Sequence, residues 1–511
     1  MSTSTLEARS AKKTIKPATK ESFVKHSAVY GLGTLATQAI SILLLPLYTQ
    51  VLPVGDFAAL TLIKKIGDVM HRCLMVGGIR QATLNFWGTG DEKTRATIAA
   101  TVSFFVYASW VVAAALLLVL AQPLSSFLGF GNTPYVLPIG VIAFLFSAST
   151  FMPLALMQAR LESMQFVVAS LAIALLQCIV AIATVAFLGW GIWGVIAAMT
   201  VAYVGVGVPL TIRELAKSQT AMPNWQQLRE LIRFSLPFIP TGLFFFVLMG
   251  GDQIFLARLA DESVVKEVVA VYGLGHRLAM VVSLVVIMPL TQVWSAWMYT
   301  AYKEKNAGEL MGKAITRILL VYITATIGLA LLKTELLTFL AKEEYLGAAH
   351  VIVPVAVANF FMIFANLMDA ALWVTRRTDR KPYIAAASAT LMAALYFVLI
   401  PKFGAVGSAE MGAAYATLLG LIGHACFTYF ATRNVFRIRF EFGRLLIAGI
   451  IATGCCIVGN HWGDGFLLVP YKLGVFASWI GIIWLCGLLS VEEKILVRQQ
   501  LADVVGRFAR R

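Results

Sequence analysis

Charge is scarce in this chain. Asp, Glu, Lys and Arg make up only 13% of the 511 residues, against about 25% in an ordinary soluble domain. Hydrophobic residues make up 59%, and the mean hydropathy is +0.82. So little charge cannot cover the surface of a soluble fold of this length, which excludes one and leaves a polytopic membrane protein. Cysteine is also sparse. Cys73, Cys178, Cys426, Cys455, Cys456 and Cys486 all lie in apolar stretches, so a disulfide framework is excluded and packing thiols are expected. Long polar loops are missing too. No DxD, HExxH, GxSxG or Walker pattern falls at a loop where it could act, so an enzyme such as a membrane polymerase, ligase or glycosyltransferase is disfavoured. The His461-Trp462-Gly463-Asp464 turn has too few ligands for a metal. No metal and no cofactor are expected.

What the chain does have is long apolar runs. A helix crosses the hydrocarbon in about 20 residues, and fourteen segments qualify: 27–50, 55–80, 96–121, 134–157, 164–187, 191–212, 234–256, 268–298, 316–333, 349–374, 383–400, 405–431, 444–460 and 467–490. The fold class is therefore all-α. The formal charge of +15 takes its meaning from position. Thirty of the 41 Lys and Arg fall in one alternating set of connections. Six (Arg258, Lys266, Lys333, Lys342, Lys402 and Lys472) fall in the opposite set. The positive-inside rule then places both termini in the cytoplasm, and the charge calls for no nucleic-acid partner. Trp225–Phe234 and a stripe of Val497, Leu501, Val504, Val505 and Phe508 read as amphipathic helices at the cytoplasmic surface.

Spans 1–6 and 7–12 read as two copies. Phe23-Val24-Lys25-His26-Ser27 opens the first and Leu231-Ile232-Arg233-Phe234-Ser235 the second. Thr61-Leu62-Ile63-Lys64-Lys65-Ile66 in span 2 matches Gly273-Leu274-Gly275-His276-Arg277-Leu278 in span 8, and the Gly189–Gly194 turn matches Gly404–Gly407. Six is even, so the copies share one orientation and are related by an axis along the membrane normal. The expected organisation is a basic tail (1–22), an N-lobe (23–214), a cytoplasmic connector with its amphipathic helix (215–233) and a C-lobe (234–432). Two further helices (441–490) and an amphipathic cytoplasmic tail (491–511) follow.

The remaining cations lie inside spans. A charge at mid-membrane costs about 2.5–3.5 kcal/mol even on lenient scales, yet span 2 carries Lys64, Lys65, Asp68, His71 and Arg72. At about 1.5 Å per residue, Lys64 and Lys65 fall near the midplane. The repeat puts His276 and Arg277 at the same depth in span 8. A cationic midplane site between two lobes suits an anionic substrate, and Arg suits phosphate oxygens. The alternative is that these cations only pair with Asp68, Asp252, Asp369 or Glu410 to fix packing. The same carboxylates are the candidates for H+ or Na+ coupling. Prolines 46, 237, 240 and 289 interrupt spans as they do near transporter cavities.

At spans 7 and 8, Phe234-Ser235-Leu236-Pro237, Gly251-Asp252-Gln253-Ile254, Val271-Tyr272-Gly273-Leu274 and Pro289 follow a loose "LP…D…Y…P" order. The sequence here resembles the Wzx-type polysaccharide flippases. Their MOP (multidrug/oligosaccharidyl-lipid/polysaccharide) superfamily also holds the MATE exporters and the lipid II flippase. The resemblance implies a monomeric carrier in the bacterial inner membrane. It would move an undecaprenyl-diphosphate-linked oligosaccharide to the outer leaflet by alternating access, for exopolysaccharide, O-antigen or capsule synthesis. It implies membrane lipids as partners, and a polysaccharide polymerase or co-polymerase alongside. Lys64, Lys65, Arg72, His276 and Arg277 would hold the diphosphate, and spans 13–14 would offer the lipid tail an apolar groove. Span 1 lacks the arginines of the lipid II flippase, which favours the polysaccharide branch. A MATE-like exporter of organic cations is the rival, and it would need an acidic cavity.

Overall fold

The computed structural model describes residues 20–71, 79, 82–83, 86–87, 92–160, 162–218, 222–236, 238–375 and 377–485. Arg72, Cys73, Arg80, Pro237, Cys486 and most of both tails, including the C-terminal amphipathic stripe, lie outside these residues. The described residues are helical with short connections and contain no strand. Helices satisfy every backbone group internally, as an apolar solvent demands.

The long helices in chain order are α1 (Lys20–Val51), α2 (Val54–Met70), α3 (Glu92–Val119), α4 (Val136–Ala159), α5 (Ser163–Phe187), α6 (Gly191–Lys217) and α7 (Phe238–Leu259). They continue with α8 (Val265–Thr291), α9 (Ala307–Leu340), α10 (Glu343–Val374), α11 (Lys381–Gly404), α12 (Ala409–Thr432), α13 (Phe442–Gly459) and α14 (Phe466–Leu485). Among the described residues twelve helices, α3 to α14, are long and apolar enough to cross a membrane. In α1 the apolar portion is the shorter Ala36–Val51, and α2 runs for 17 residues. These two occupy the first two of the fourteen expected spans.

Gly189 (φ +65°) between α5 and α6 and Gly407 (φ +74°) between α11 and α12 both sit in the left-handed region, where a side chain is strained. The lobes also touch in a pseudo-twofold pattern at the end assigned to the outside. There α1 meets α9, with Thr49 Oγ1 donating to the Leu340 carbonyl at 2.7 Å. The end of α7 meets the short helix after α3 (Ala121–Phe127) in the equivalent way, with Arg258 over the Phe127 ring at 5.0 Å. Lys266 at the start of α8 lies over Phe130 at 5.3 Å. Between these contacts α2 crosses α8, where Gly273 faces Thr61. A Cβ on Gly273 would lie 2.7 Å from Thr61 Cγ2, so the absent side chain sets the approach of the two lobes. Gly273→Ala is expected to cost about 1–3 kcal/mol through forced separation of α2 and α8. The measurement is the melting temperature of the purified protein in detergent, and an unchanged value would refute the close-approach role.

The surface helix Trp225–Ser235 forms where the sequence places it. Asn224 caps it by accepting from Gln227 N at 3.0 Å. Leu228 and Leu231 are buried while Trp225, Arg229 and Arg233 are exposed. Gln227 anchors it to α3, accepting from Thr97 and Thr101.

One cation departs from its expected place. Lys472 belongs in an outer connection by sequence, but it lies inside α14 with no exposure. There it pairs with Glu335 of α9 and Asp464, both at 2.7 Å. An apolar cluster that includes Leu320, Ile327, Leu331, Ala448 and Trp479 packs α13 and α14 onto α9.

Candidate functional site

The mid-membrane charges separate into two groups. The cause is helical geometry: neighbours in sequence point about 100° apart on a helix, so Lys64 and Lys65 cannot share a direction, nor can His276 and Arg277.

The first group is built on Asp252 of α7, which is 2% exposed. Its Oδ2 accepts from Tyr272 OH at 2.8 Å and lies 3.4 Å from His276 Nε2, both on α8. Its Oδ1 accepts from Gln253 N at 2.9 Å and faces Lys65 Nζ of α2 at 4.0 Å. Lys65 Nζ also donates to the Met249 carbonyl at 3.3 Å. Tyr272 continues to Thr417 of α12 at 3.3 Å, and Thr417 to Tyr396 of α11 at 3.0 Å. A chain of polar contacts therefore runs from the N-lobe through Asp252 across the C-lobe. Asp252 neutralises Lys65, so neither Lys65 nor His276 is a free cation.

The second group is Lys64 and Arg277. Neither makes an ion pair or a hydrogen bond among the described residues. Arg277 lies over the Phe57 ring at 5.8 Å, and it is within electrostatic reach of Lys64 and of Tyr48 on α1. Asp68 also acts on Lys64 from a distance, but Asp68 itself is exposed. One unpaired cation from each lobe is thus within electrostatic reach of the other, an arrangement that can hold an anion.

The other candidates lie elsewhere. Arg72 is outside the described residues. His71 is buried against the Leu145 carbonyl, 3.2 Å from its Nε2. Asp369 pairs with Lys381 at 2.8 Å, a cation that the sequence assigns to the cytoplasmic surface. Glu410 lines an acidic cavity of about 240 Å³ with Asp261, Glu267 and Glu344, two turns along α12 from Thr417. Among the described residues no group of three His, Cys, Asp or Glu has the arrangement to hold a metal. Sequence reading missed Tyr48, Tyr396 and Thr417, because an aromatic or a threonine on an apolar helix carries no signal of its own. It also missed the separation of the adjacent cations, although the 100° step was available from the sequence alone.

Residues 54–350, more than half of the chain, match the family model described as "Polysaccharide biosynthesis protein". The chain belongs to this family. No curated protein matches it. Among solved structures it is similar to the lipid II flippase MurJ in an inward closed conformation. The TM-score is 0.69 at 12% identity, covering 89% of this chain and 99% of that one. It is also similar to an inward-facing multidrug resistance MATE family transporter of the MOP superfamily (TM-score 0.63, 14% identity, 80% and 94% covered). A third is a MOP superfamily transporter from Pyrococcus furiosus described by the reverse polarity of its binding pocket (TM-score 0.52, 12% identity, 80% and 95% covered). At these identities the likeness is one of fold, and the fold is that of MOP transporters. The resemblance carried by α7 and α8 is borne out at the level of family and fold. A polysaccharide biosynthesis protein with a transporter fold is a multi-pass membrane protein.

Proposed function

We propose that this protein flips a lipid-linked oligosaccharide, carried on undecaprenyl diphosphate, from the cytoplasmic to the outer leaflet of a bacterial inner membrane by alternating access. The observation that carries this reading is the Lys64–Arg277 pair, unpaired cations contributed by opposite lobes at mid-membrane. A diphosphate offers each of them charge-assisted hydrogen bonds, and rocking of the lobes about such a shared site exposes it to either side. The basic character of the pair speaks against an organic cation as cargo. The outer-end contacts between α1 and α9 and between α7 and the short helix after α3 fit an inward-directed resting state. A second feature supports a lipid cargo. A groove of about 480 Å³ between α9, α10 and α13 is lined by apolar groups such as Ile327, Val357, Phe361, Leu446 and Ile450, which suits a polyprenyl chain. The N-lobe, C-lobe and two-helix extension, with both termini cytoplasmic, are the organisation this mechanism uses.

The test is a reconstituted flipping assay with a labelled lipid-linked sugar. Lys64→Ala with Arg277→Ala is expected to slow flipping at least tenfold, since a charged hydrogen bond is worth about 1.5–3 kcal/mol. Lys64→Arg with Arg277→Lys should retain much of the rate. Unimpaired flipping by the double alanine variant would overturn the assignment. In cells, loss of the protein should leave lipid-linked oligosaccharide on the cytoplasmic leaflet.

A further inference from the structure

Beside Lys64 the N-lobe contains a cavity of about 230 Å³ between α1, α2 and α5. Its lining is polar at a depth where the surrounding helices are apolar. From α1 come Gln38 and Ser41, with Tyr48 two turns on. From α5 come Ser170 and Gln177, and from α2 comes Lys64. The spacing places them deliberately. On α1 positions 37, 41, 44 and 48 repeat at i, i+4, i+7 and i+11 with Gln38 at the edge of that face, and on α5 positions 170, 173, 174 and 177 repeat at i, i+3, i+4 and i+7. Each set is one helical face, and the two faces meet at the cavity.

The amides of Gln38 and Gln177 and the hydroxyl of Ser170 make no hydrogen bond among the described residues, even to one another. Polar groups at membrane depth require partners. If these side chains served packing alone, the two amides would bond to each other or to the helix backbone, as Thr184 does to Val180 and Gly194. They are instead directed at the cavity with both donor and acceptor capacity unused. Amides and hydroxyls with no carboxylate form the lining that recognises a neutral polyhydroxylated ring, because each ring hydroxyl both donates and accepts. The volume is below the roughly 300–1,000 Å³ of drug-sized sites, which fits one ring and excludes an oligosaccharide. Lys64 belongs both to this cavity and to the cationic pair with Arg277, so an anion on that pair is directly adjacent.

We propose that the α1–α2–α5 cavity is a subsite for a single sugar ring, the one attached to the diphosphate, with Gln38 and Gln177 as its recognition groups. This rests on the flippase reading above and adds the part of the cargo that the N-lobe reads. The reading has a consequence for specificity. The first sugar is inspected in the N-lobe, while the rest of the glycan stays outside this cavity.

The test compares two probes, undecaprenyl diphosphate and undecaprenyl diphosphate carrying one hexose, titrated against the full-length protein in detergent. The expected result is at least tenfold tighter binding of the hexose-bearing lipid, equivalent to about 1.4 kcal/mol. Gln38→Leu with Gln177→Leu should bring the two lipids to equal affinity. Ala174→Leu, which fills the same cavity and leaves both amides in the sequence, should do likewise and serves if the first variant does not fold. Wild-type protein that binds both lipids equally overturns the subsite and leaves the flippase reading standing. So does discrimination that survives both variants. If neither lipid binds, the flippase reading fails and the subsite with it.

Discussion

Lys472→Met is expected to destabilise the protein by about 3–5 kcal/mol, the usual cost of removing one partner of a buried ion pair. The Lys472 side chain has no exposure, and its ammonium lies 2.7 Å from Glu335 Oε1 and 2.7 Å from Asp464 Oδ1. Glu335 is 5% exposed. Its Oε1 also accepts from Gly465 N at 3.1 Å, and its Oε2 has no partner. Without the lysine, a carboxylate remains in an apolar setting with one backbone donor. Asp464 loses less, because at 41% exposure water compensates it. The damage should be local to α13 and α14, whose remaining attachments to α9 include the cluster around Trp479, the bond from its Nε1 to Thr324 at 3.2 Å and the bond from Thr334 Oγ1 to Asp464 Oδ2 at 3.0 Å. Thermal melts by size-exclusion should show the loss. The pair also makes a sharper prediction. Lys472→Met with Glu335→Leu removes both buried charges and should recover most of the stability, since apolar replacement of a buried pair is often neutral or better. A single variant that melts with the wild type would show that the pair holds nothing.

The same lysine shows what was legible in the sequence. Twelve of the fourteen expected spans, α3 to α14, were legible because apolarity is a one-dimensional signal, and the turns because Gly189 and Gly407 answer a local backbone requirement. Three-dimensional partnership was less accessible. Lys472 stood close enough to a span end to pass for a loop cation, and Glu335 was 137 residues away. Asp252 and Tyr272 both appeared in the family-like pattern, but nothing in it stated that the hydroxyl of one binds the carboxylate of the other at 2.8 Å. Thr417 and Tyr396 extend that chain through hydrogen bonds across the C-lobe, which periodicity does not encode. The cationic site was read as one group of five. The structure divides it according to direction, leaving Lys64 and Arg277 unpaired and assigning Lys65 and His276 to Asp252.

That division determines what Asp252→Asn should do. Asparagine retains the shape and an acceptor for Tyr272, but it removes the charge facing Lys65 and His276. Lys65 has only 17% side-chain exposure, so its ammonium would be left with the Met249 carbonyl as its one hydrogen-bond partner among the described residues. Because Lys65 belongs to α2 and Asp252 to α7, the lost attraction is between lobes. It stabilises the arrangement in which the outer ends are in contact. Flipping is expected to fall at least 100-fold, which corresponds to about 2.7 kcal/mol, with a shift toward conformations whose outer end is open. Spin labels across the α1–α9 contact would report that shift. The double variant Asp252→Asn with Lys65→Met separates the two consequences. Removing the orphaned cation should restore the melting temperature, since no buried charge remains unpaired on that side. Flipping should stay low, because nothing at mid-membrane then draws the lobes back together. Wild-type flipping by the single variant would remove Asp252 from the transport cycle and leave it a packing residue.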